Sequence, residues 1–273
     1  MHVFQKILLW IYRRFQKLGL LEKAWFKKIF WTAYFLYKRH FEDPFYGLTQ
    51  RYPALFQGGN ILDIGANIGY TSVVFSKAIT SGFRVYAFEP DYQNSVSLRQ
   101  IIKLNQQKER IIPIQAAVGE TQGTIQLWHN QNHHADHRIA TKEFKDLGRD
   151  LKKVSTVDLW SVDSFVFSKL DRARVKFIKI DVQGYEFPVC LGMKETLVAN
   201  PDAVIALEYM PASVEELGFD PEKIIGFFQE REYFMYVLGK QGNLELAREQ
   251  LVNKLVKQRG YIDLLFSREP LLN

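Results

Sequence analysis

Hydrophobic and polar positions follow two different patterns along the chain, and the change comes near residue 58. In the first fifty residues, apolar side chains recur at spacings of three and four, which predicts amphipathic helices. The apolar positions are Phe4, Ile7, Leu8, Ile11, Phe15 and Leu18, followed by Trp25, Phe26, Ile29, Phe30, Ala33, Leu36 and Tyr37. Beyond residue 58, short β-branched runs alternate with helical stretches, which predicts a parallel sheet with crossover helices.

The second pattern gives the order of the predicted elements. Strands are predicted at 60–64, 83–88, 110–117, 123–128, 153–157, 175–181, 203–209, 233–239 and 261–267. Helices are predicted at 69–78, 91–105, 161–169, 186–199, near 221–231 and before the last strand, with a polar stretch at about 129–150. Since we find no internal repeat and no second core-sized unit, we predict a helical extension over 1–50 and one α/β domain over 51–273.

The positive charge is concentrated in the extension. Residues 1–50 contain nine Lys or Arg and three Asp or Glu, a surplus that equals the net charge of +6 of the whole chain. The rest of the chain is balanced, which argues against a nucleic-acid-binding face on the main domain. Cys190 is the only cysteine, so an intramolecular disulfide is excluded and a reducing, cytoplasmic location is the simpler expectation.

The basic amphipathic extension has two interpretations. Its apolar runs are shorter than the roughly 18 uncharged residues that a membrane-spanning helix needs, and Arg13 and Arg14 interrupt any signal-peptide core. Residues 1–40 suit an anionic membrane surface, which would make the protein peripheral at the inner face of a membrane. Alternatively, these helices cover the ligand site or form a dimer contact, and the oligomeric state stays open.

Residues 61–71 read as a strand, a glycine-containing turn and the start of a helix. A dinucleotide-binding fingerprint would need glycine at 67 and glycine or alanine at 70, where this chain has Asn67 and Tyr70. The spacing is instead that of Asp63, Gly65 and Gly69. A carboxylate at Asp63 suits the ammonium group of a methionine-type ligand and would repel a pyrophosphate. The turn therefore disfavours a nicotinamide oxidoreductase.

A second acid, Glu89, follows the next predicted strand. A carboxylate there can accept hydrogen bonds from the hydroxyls of an unphosphorylated ribose. Either acid alone could be a helix cap. Two acids at the carboxyl ends of neighbouring strands favour ligand binding, because open α/β sheets bind their ligands at that edge.

Several ordered blocks make the sequence similar to the FkbM family of S-adenosylmethionine-dependent methyltransferases. They lie at 62–71, 87–90, 116–119 and 177–186, and the similarity extends through Tyr209 to cover roughly 58–210. The most specific block is Asp-Val-Gln-Gly-Tyr-Glu at 181–186. Many members have glutamate where this chain has Gln183, a difference that we do not expect to change the reaction.

The resemblance implies a class I, Rossmann-like fold with a seven-stranded, mostly parallel sheet and helices on both faces. It implies S-adenosylmethionine as cofactor, with Glu89 at the ribose and Ala117 near the adenine. The implied cofactor-binding set is Asp63, Gly65, Ala66, Asn67, Gly69, Tyr70, Thr71, Glu89, Pro90 and Ala117. It also implies O-methylation of sugars, glycolipids or polyketide hydroxyls.

Methylation of an alcohol needs a general base or a divalent metal that acidifies the hydroxyl. Asp181 is our main candidate for the base, because it ends a central strand beside the cofactor loop. Asp181 and Glu208, on adjacent strand ends, could together hold a divalent cation. Glu186 could take part or could merely order the turn and the helix start.

Four of the six histidines lie between residues 129 and 137. We take His134 and His137 as candidate catalytic residues, because imidazole is the usual base near neutral pH and His/Asp clusters can also bind metal. The alternative is a solvated loop. A structural zinc site does not fit, since no thiolate lies nearby.

These observations predict an O-methyltransferase that acts on a hydroxyl of a glycan or lipid-linked sugar. A small secondary metabolite is the alternative acceptor. A non-catalytic, membrane-associated binding module on the same fold is an alternative of a different class.

Overall fold

The computed structural model describes residues 43–130, 136–148 and 153–272. The predicted amphipathic helices of the extension and the candidate His134 lie outside these residues. The described strands are β1 (Asn60–Ile64), β2 (Val85–Phe88), β3 (Ile111–Ile114), β4 (Ala117–Gly119), β5 (Gly123–Trp128), β6 (Arg138–Ile139), β7 (Val154–Ser161), β8 (Val175–Ile180), β9 (Val204–Tyr209), β10 (Phe234–Leu238), β11 (Leu244–Leu246) and β12 (Ile262–Ser267).

Ten α-helices lie in the described part of the chain. They are α1 (Phe45–Arg51), α2 (Tyr70–Ala78), α3 (Tyr92–Leu104), α4 (Lys142–Asp146), α5 (Val162–Lys169), α6 (Glu186–Leu191), α7 (Lys194–Ala199), α8 (Pro211–Glu216), α9 (Glu222–Gln229) and α10 (Glu249–Arg259). Helix α1 spans the predicted boundary at residue 50, and Arg51 Nε donates to the Gln241 carbonyl at 2.9 Å. None of the described helices combines the length and the apolar character needed to cross a bilayer.

The main sheet has the strand order β11-β10-β12-β9-β8-β1-β2-β3. Strands β3, β2, β1, β8 and β9 are parallel, whereas β12 is antiparallel to both β9 and β10. The sheet has eight strands rather than the seven that the family resemblance implies. The extra one is the three-residue β11, which pairs antiparallel with β10 at the edge.

Side chains alternate between the two faces of the central strands. On β8, Phe177 packs against Phe56 with ring centroids 4.6 Å apart and lies on the face that α2 covers with Phe75. Ile178 and Ile180 belong to the large apolar cluster of the other face. All five residues of β1 are buried, as expected of a parallel strand with both faces covered.

The predicted strand at 110–117 is wrong as a single strand. The chain turns at the exposed Gln115, where Ala116 N donates to Ile114 O at 3.1 Å. The residues before the turn form β3 of the main sheet, and those after it form β4 of a second sheet. This second sheet has the order β4-β7-β5-β6 and was not predicted.

The predicted helix at 186–199 is likewise two helices, α6 and α7, separated at Gly192. An added Cβ on Gly192 would lie 2.1 Å from the Gly119 carbonyl oxygen, so the chain passes tightly against β4 here. This contact fixes the second sheet against the helix that follows β8.

Candidate active site

The loops after β1, β2 and β8 end at one pocket. Strands β2 and β3 lie to one side of β1 and strands β8 and β9 to the other, so the strand order reverses between β1 and β8. Open α/β sheets bind ligands at this kind of reversal, beyond the carboxyl ends of the strands. The pocket encloses about 620 Å³ of empty space together with its open mouth. Its lining residues are Ile64, Gly65, Asn67, Phe88, Glu89, Pro90, Asn94, Ala116, Ala117, Val118, His137, Ile139, Asp181, Val182, Gln183 and Tyr185.

Gly65 joins the floor of the pocket to the neighbouring loop. It has a φ of +78°, and an added Cβ would lie 1.8 Å from the Asp181 carbonyl oxygen. Asp181 N in turn donates to Ile64 O at 3.0 Å. Only glycine fits both the backbone conformation and the close approach of the two loops.

Glu89 presents a carboxylate whose oxygens are both held in place. Its Oε2 accepts from Asn67 N at 2.8 Å, and its Oε1 accepts from Asp91 N at 3.0 Å. Asn67 makes this contact with a φ of +50°, a conformation that asparagine tolerates better than most residues. Burial raises the pKa of Glu89 to about 7, despite the hydrogen bonds that favour its charged form.

Asp63 does not line the pocket. It is fully buried, and its carboxylate accepts from the Ser72 hydroxyl of α2 and lies 3.5 Å from Lys179 Nζ. Burial raises the pKa of Asp63, and the Lys179 charge opposes that shift. Any contribution of Asp63 to ligand binding is therefore indirect, through the residues that it positions.

Lys179 is a buried ammonium group on β8 that connects the two loops. Its Nζ donates to Gly65 O at 2.8 Å and lies 3.4 Å from Asp181 Oδ2. Burial alone would lower the pKa of Lys179, but the nearby Asp181 and Asp63 carboxylates raise it above its usual value. The ammonium is therefore charged, and it holds the turn after β1 to the acid that follows β8.

Asp181 reaches the pocket, with 34% of its side chain exposed. Gln183 Nε2 donates both to Asp181 Oδ1 at 2.8 Å and to Glu208 Oε2 at 3.1 Å. Glu208 is not a lining residue. Burial, and secondarily the Asp181 and Asp263 charges, raise the pKa of Glu208 well above its usual value.

Glu186 orders the turn that carries Asp181. Its Oε1 accepts from Val182 N at 3.1 Å and from Gly184 N at 3.2 Å. Burial raises the pKa of Glu186 to about 7. Because the side chain is almost fully buried and bonds to the backbone of the turn, the structure supports a structural role for this glutamate.

Two of the histidines form a cluster with Asp91. The potential ligand atoms of Asp91, His129 and His137 all lie within 4.8 Å of one another. His129 Nδ1 lies 2.8 Å from Asp91 Oδ2, and His129 Nε2 lies 2.7 Å from the Ser155 hydroxyl. His137 lines the pocket, and its Nδ1 accepts from Asn130 N at 3.1 Å.

That backbone contact limits what His137 can do. An Nδ1 that accepts an N–H leaves the ring proton on Nε2, which faces Asp91 Oδ2 at 3.7 Å. Metal-bound imidazoles normally donate from the nitrogen that does not bind the ion, the reverse of this arrangement. The contacts thus favour a hydrogen-bonded pair of Asp91 and His129, with His137 beside it as a wall residue of the pocket.

The sequence matches the model of the methyltransferase FkbM domain over residues 63–235. The chain belongs to the FkbM methyltransferase domain family. No protein of curated function matches the sequence.

Solved structures that are similar to this chain include the following methyltransferases. The FkbM methyltransferase of Methylobacillus flagellatus KT is 17% identical, with a TM-score of 0.51 over 83% of this chain and 48% of that chain. This chain thus spans about half the length of that protein. A putative O-methyltransferase from Klebsiella pneumoniae is 12% identical, with a TM-score of 0.48 over 83% and 79% of the two chains. The Bacillus cereus O-methyltransferase in complex with SAH is 12% identical, with a TM-score of 0.44 over 88% and 89%.

The likeness to the Methylobacillus structure shows the fold alone, and it confirms the predicted α/β class with a mostly parallel sheet. Within the FkbM domain, the pocket brings together seven of the residues singled out from the sequence. They are Gly65, Asn67, Glu89, Pro90, Ala117, His137 and Asp181. The residues that lie near the pocket without lining it are Asp63, Ala66, Gly69, Tyr70, Thr71 and Glu208.

Sequence reasoning missed the parts of the site that depend on neighbouring strands. Lys179 had a detectable signal, since a lysine inside a buried parallel strand requires a paired acid. Gln183 was noticed only as a departure from the family pattern. The partnership of Asp91 with His129 had no local signal, because Asp91 caps helix α3, His129 follows β5 of the second sheet, and the two residues lie 38 positions apart.

Proposed function

We propose that this FkbM domain transfers a methyl group from S-adenosylmethionine to a hydroxyl oxygen of a glycan or of a lipid-linked sugar. The observation that carries the proposal is that Glu89 and Asp181 line one pocket at the reversal of strand order. Glu89 can accept hydrogen bonds from the ribose of a nucleoside ligand, and Asp181 can take the proton of the acceptor hydroxyl.

The lining fits an adenosyl ligand. Phe88, Val118 and Ile139 supply an apolar surface, and Ala116 and Ala117 leave room beside it. Glu89 retains acceptor capacity for a hydroxyl after its contacts with two backbone N–H groups and Asn94, because a carboxylate offers about four lone-pair sites.

When bound, S-adenosylmethionine supplies an electrophilic methyl group. The role of the protein is to hold the acceptor hydroxyl in line with the methyl carbon and the sulfur, and to take the proton of that hydroxyl. Asp181 can take that proton, because its carboxylate reaches the pocket and is fixed by Gln183 and Lys179. With the acceptor oxygen held in line, an oxygen–carbon bond would form as the carbon–sulfur bond breaks, and positioning would supply much of the rate.

The acceptor class follows from the resemblance to the FkbM family and from the polar groups at this end of the pocket. Asp181, Gln183 and Tyr185 offer hydrogen-bonding groups to a hydroxylated acceptor. The basic amphipathic segment of residues 1–40 suits an acceptor carried on an anionic membrane. A soluble secondary metabolite is the other outcome of the acceptor test.

The test has two stages. Calorimetry on the purified full chain should detect binding of S-adenosylhomocysteine and no binding of NAD. Labelled S-adenosylmethionine should then transfer label to a member of a panel of glycans, glycolipids and small phenols or polyols. Binding of NAD without binding of the adenosyl ligands would refute the proposal at the first stage.

The role of Asp181 is tested with Asp181→Asn and Asp181→Ala. We expect both variants to bind S-adenosylhomocysteine within a few-fold of the unsubstituted chain and to lose methyl transfer by about 10²–10⁴-fold, the usual contribution of a general base. Full transfer by either variant would remove Asp181 from the mechanism.

A further inference from the structure

The Gln183 side chain occupies the space between two acids. Its Nε2 is 2.8 Å from Asp181 Oδ1 and 3.1 Å from Glu208 Oε2, so both N–H bonds of one amide are directed at carboxylates. Two carboxylates brought this close normally need a proton, a cation or a hydrogen-bond donor between them. In this chain the donor is a side-chain amide.

The backbone of Gln183 reinforces this interpretation. Its φ is +55°, a left-handed conformation that is unfavourable for a residue other than glycine. Such a conformation persists only where the surroundings stabilise it. The two hydrogen bonds to Asp181 and Glu208, together with the Glu186 contacts to the same turn, contribute to stabilising it.

Two features reduce the repulsion between the acids without an added ion. Lys179 Nζ lies 3.4 Å from Asp181 Oδ2, and the proton affinity of the buried Glu208 is raised by burial and by Asp181 and Asp263. The Lys179 charge, which is shared with Asp63, and the raised proton affinity of Glu208 each reduce the repulsion between Asp181 and Glu208. A hard cation would have to displace the amide, or turn it so that its oxygen faces the ion, to reach Asp181 and Glu208 together.

We propose that Gln183 takes the place of a divalent cation between Asp181 and Glu208, so that it is a positioning residue and methyl transfer by this chain is independent of divalent cations. The proposal rests on the proposed function for the role of Asp181. The amide fixes one oxygen of Asp181 and leaves the other toward Lys179 and the pocket. Replacing the amide by a carboxylate should convert the same position into a cation site.

The primary experiment titrates the full chain with Mg²⁺ and with Ca²⁺ in a calorimeter. These ions prefer oxygen ligands, so the imidazoles of His129 and His137 do not confuse the result. We expect no binding by the unsubstituted chain, and no effect of a chelator on transfer to any acceptor found by the panel. Binding that disappears in Glu208→Gln, or loss of transfer in the chelator, would overturn the proposal.

The complementary variant is Gln183→Glu, examined at pH 8. It should bind Mg²⁺ or Ca²⁺ with a dissociation constant in the millimolar range or tighter, and each ion should raise its Tm. Adding Glu208→Gln should abolish both effects. Gln126→Glu, on the exposed face of β5, is the matched control and should show neither effect. Failure of folded Gln183→Glu to bind either ion would overturn the assignment.

Affinity for S-adenosylhomocysteine separates this proposal from the proposed function. The unsubstituted chain and the Gln183→Glu variant should bind S-adenosylhomocysteine with similar affinity, whether or not either of them binds Mg²⁺ or Ca²⁺. If Gln183→Glu does not fold, the titration and the chelator experiment on the unsubstituted chain still decide the question. Gln183→Leu, which has no donor, should lower kcat at least tenfold with little change in the KM for S-adenosylmethionine.

Discussion

Three acids close to the pocket differ in what surrounds them. Glu89 and Asp181 follow the last residues of β2 and β8 and line the pocket, whereas Asp63 is one residue inside the end of β1. A strand residue must point to one face of the sheet. Asp63 therefore points toward α2 and Lys179, and a carboxylate outside a strand end is free to turn toward the ligand edge.

The raised pKa of Glu89 predicts pH-dependent ligand binding. A ribose hydroxyl donates hydrogen bonds, so it favours the ionised carboxylate over the protonated acid. Because the pKa in the free chain is about 7, protons compete with the ligand below that pH. We expect affinity for S-adenosylhomocysteine to fall by up to about tenfold per pH unit below 7.

Calorimetric titrations at pH 8, 7 and 6 would measure this dependence. Glu89→Gln should bind more weakly at pH 8 and should flatten the dependence. An affinity of the unsubstituted chain that stays constant over this range would contradict the assignment of Glu89 to the ribose.

Glu186 gives a stability prediction at the same scale. Its pKa is raised from 4.5 to about 7 on folding, so the folded chain binds the proton more tightly than the unfolded chain. The contribution of Glu186 to the free energy of unfolding is therefore largest at low pH and falls as the pH rises through this window. Glu186→Gln keeps an oxygen for Val182 N and Gly184 N and removes the titration.

We expect the stability of Glu186→Gln, relative to the unsubstituted chain, to increase by about 2 kcal/mol between pH 5 and pH 8. Urea unfolding at the two pH values measures this difference. Glu195→Gln, at an exposed position of α7, is the matched control and should show no such change. Equal pH dependence in all three proteins would show that the burial of Glu186 does not govern its titration.

At the scale of elements, the sequence predicts where a strand ends better than it predicts which strands pair with each other. Strands β1 and β5 have the predicted bounds, because each is an uninterrupted run between turn residues. The second sheet was not predicted, because its pairings are non-local: Ala117 of β4 pairs with Leu159 of β7. Glu89 and Asp181 could be predicted as site residues because each lies at or directly after the end of a predicted strand. The partners of Lys179 and Gln183 could not be predicted, because they come together only when β1, β8 and β9 lie side by side.

The ion pairs of β8 predict a sharp contrast between two of its lysines. Lys179 neutralises the fully buried Asp63, and removing one partner of a buried pair typically costs about 3–5 kcal/mol. Lys176, three residues earlier, pairs with the more exposed Asp202, where about 1 kcal/mol or less is expected.

We therefore expect Lys179→Met to lower the free energy of unfolding several times more than Lys176→Met, as measured by urea denaturation at pH 7. Lys179→Met should also weaken binding of S-adenosylhomocysteine, because Gly65 O loses its donor. Similar destabilisation by both substitutions would show that the Asp63 contact is not a significant source of stability.

At the scale of the whole molecule, the positive charge is distributed unevenly along the sequence. All of the surplus positive charge lies in the first fifty residues, and the rest of the chain is balanced. We expect the full chain to co-sediment with anionic vesicles at low salt, to detach as salt rises, and to ignore zwitterionic vesicles. A chain lacking residues 1–40 should lose this binding.

Circular dichroism of the shortened chain provides the folding control for the vesicle experiment. If the shortened chain is folded and binds anionic vesicles as well as the full chain does, the membrane interpretation of residues 1–40 fails. The acceptor would then be sought among water-soluble compounds.

The tight approach of Gly65 to Asp181 has a consequence for how such an enzyme could be redesigned. The turn that we propose to hold the cofactor and the loop that carries the proposed base have backbones too close to be moved separately. New acceptor preferences should therefore be engineered by exchanging lining side chains such as Ile139 and Tyr185, rather than by moving these two loops. Libraries randomised there should yield altered selectivity far more often than libraries at positions 64–67.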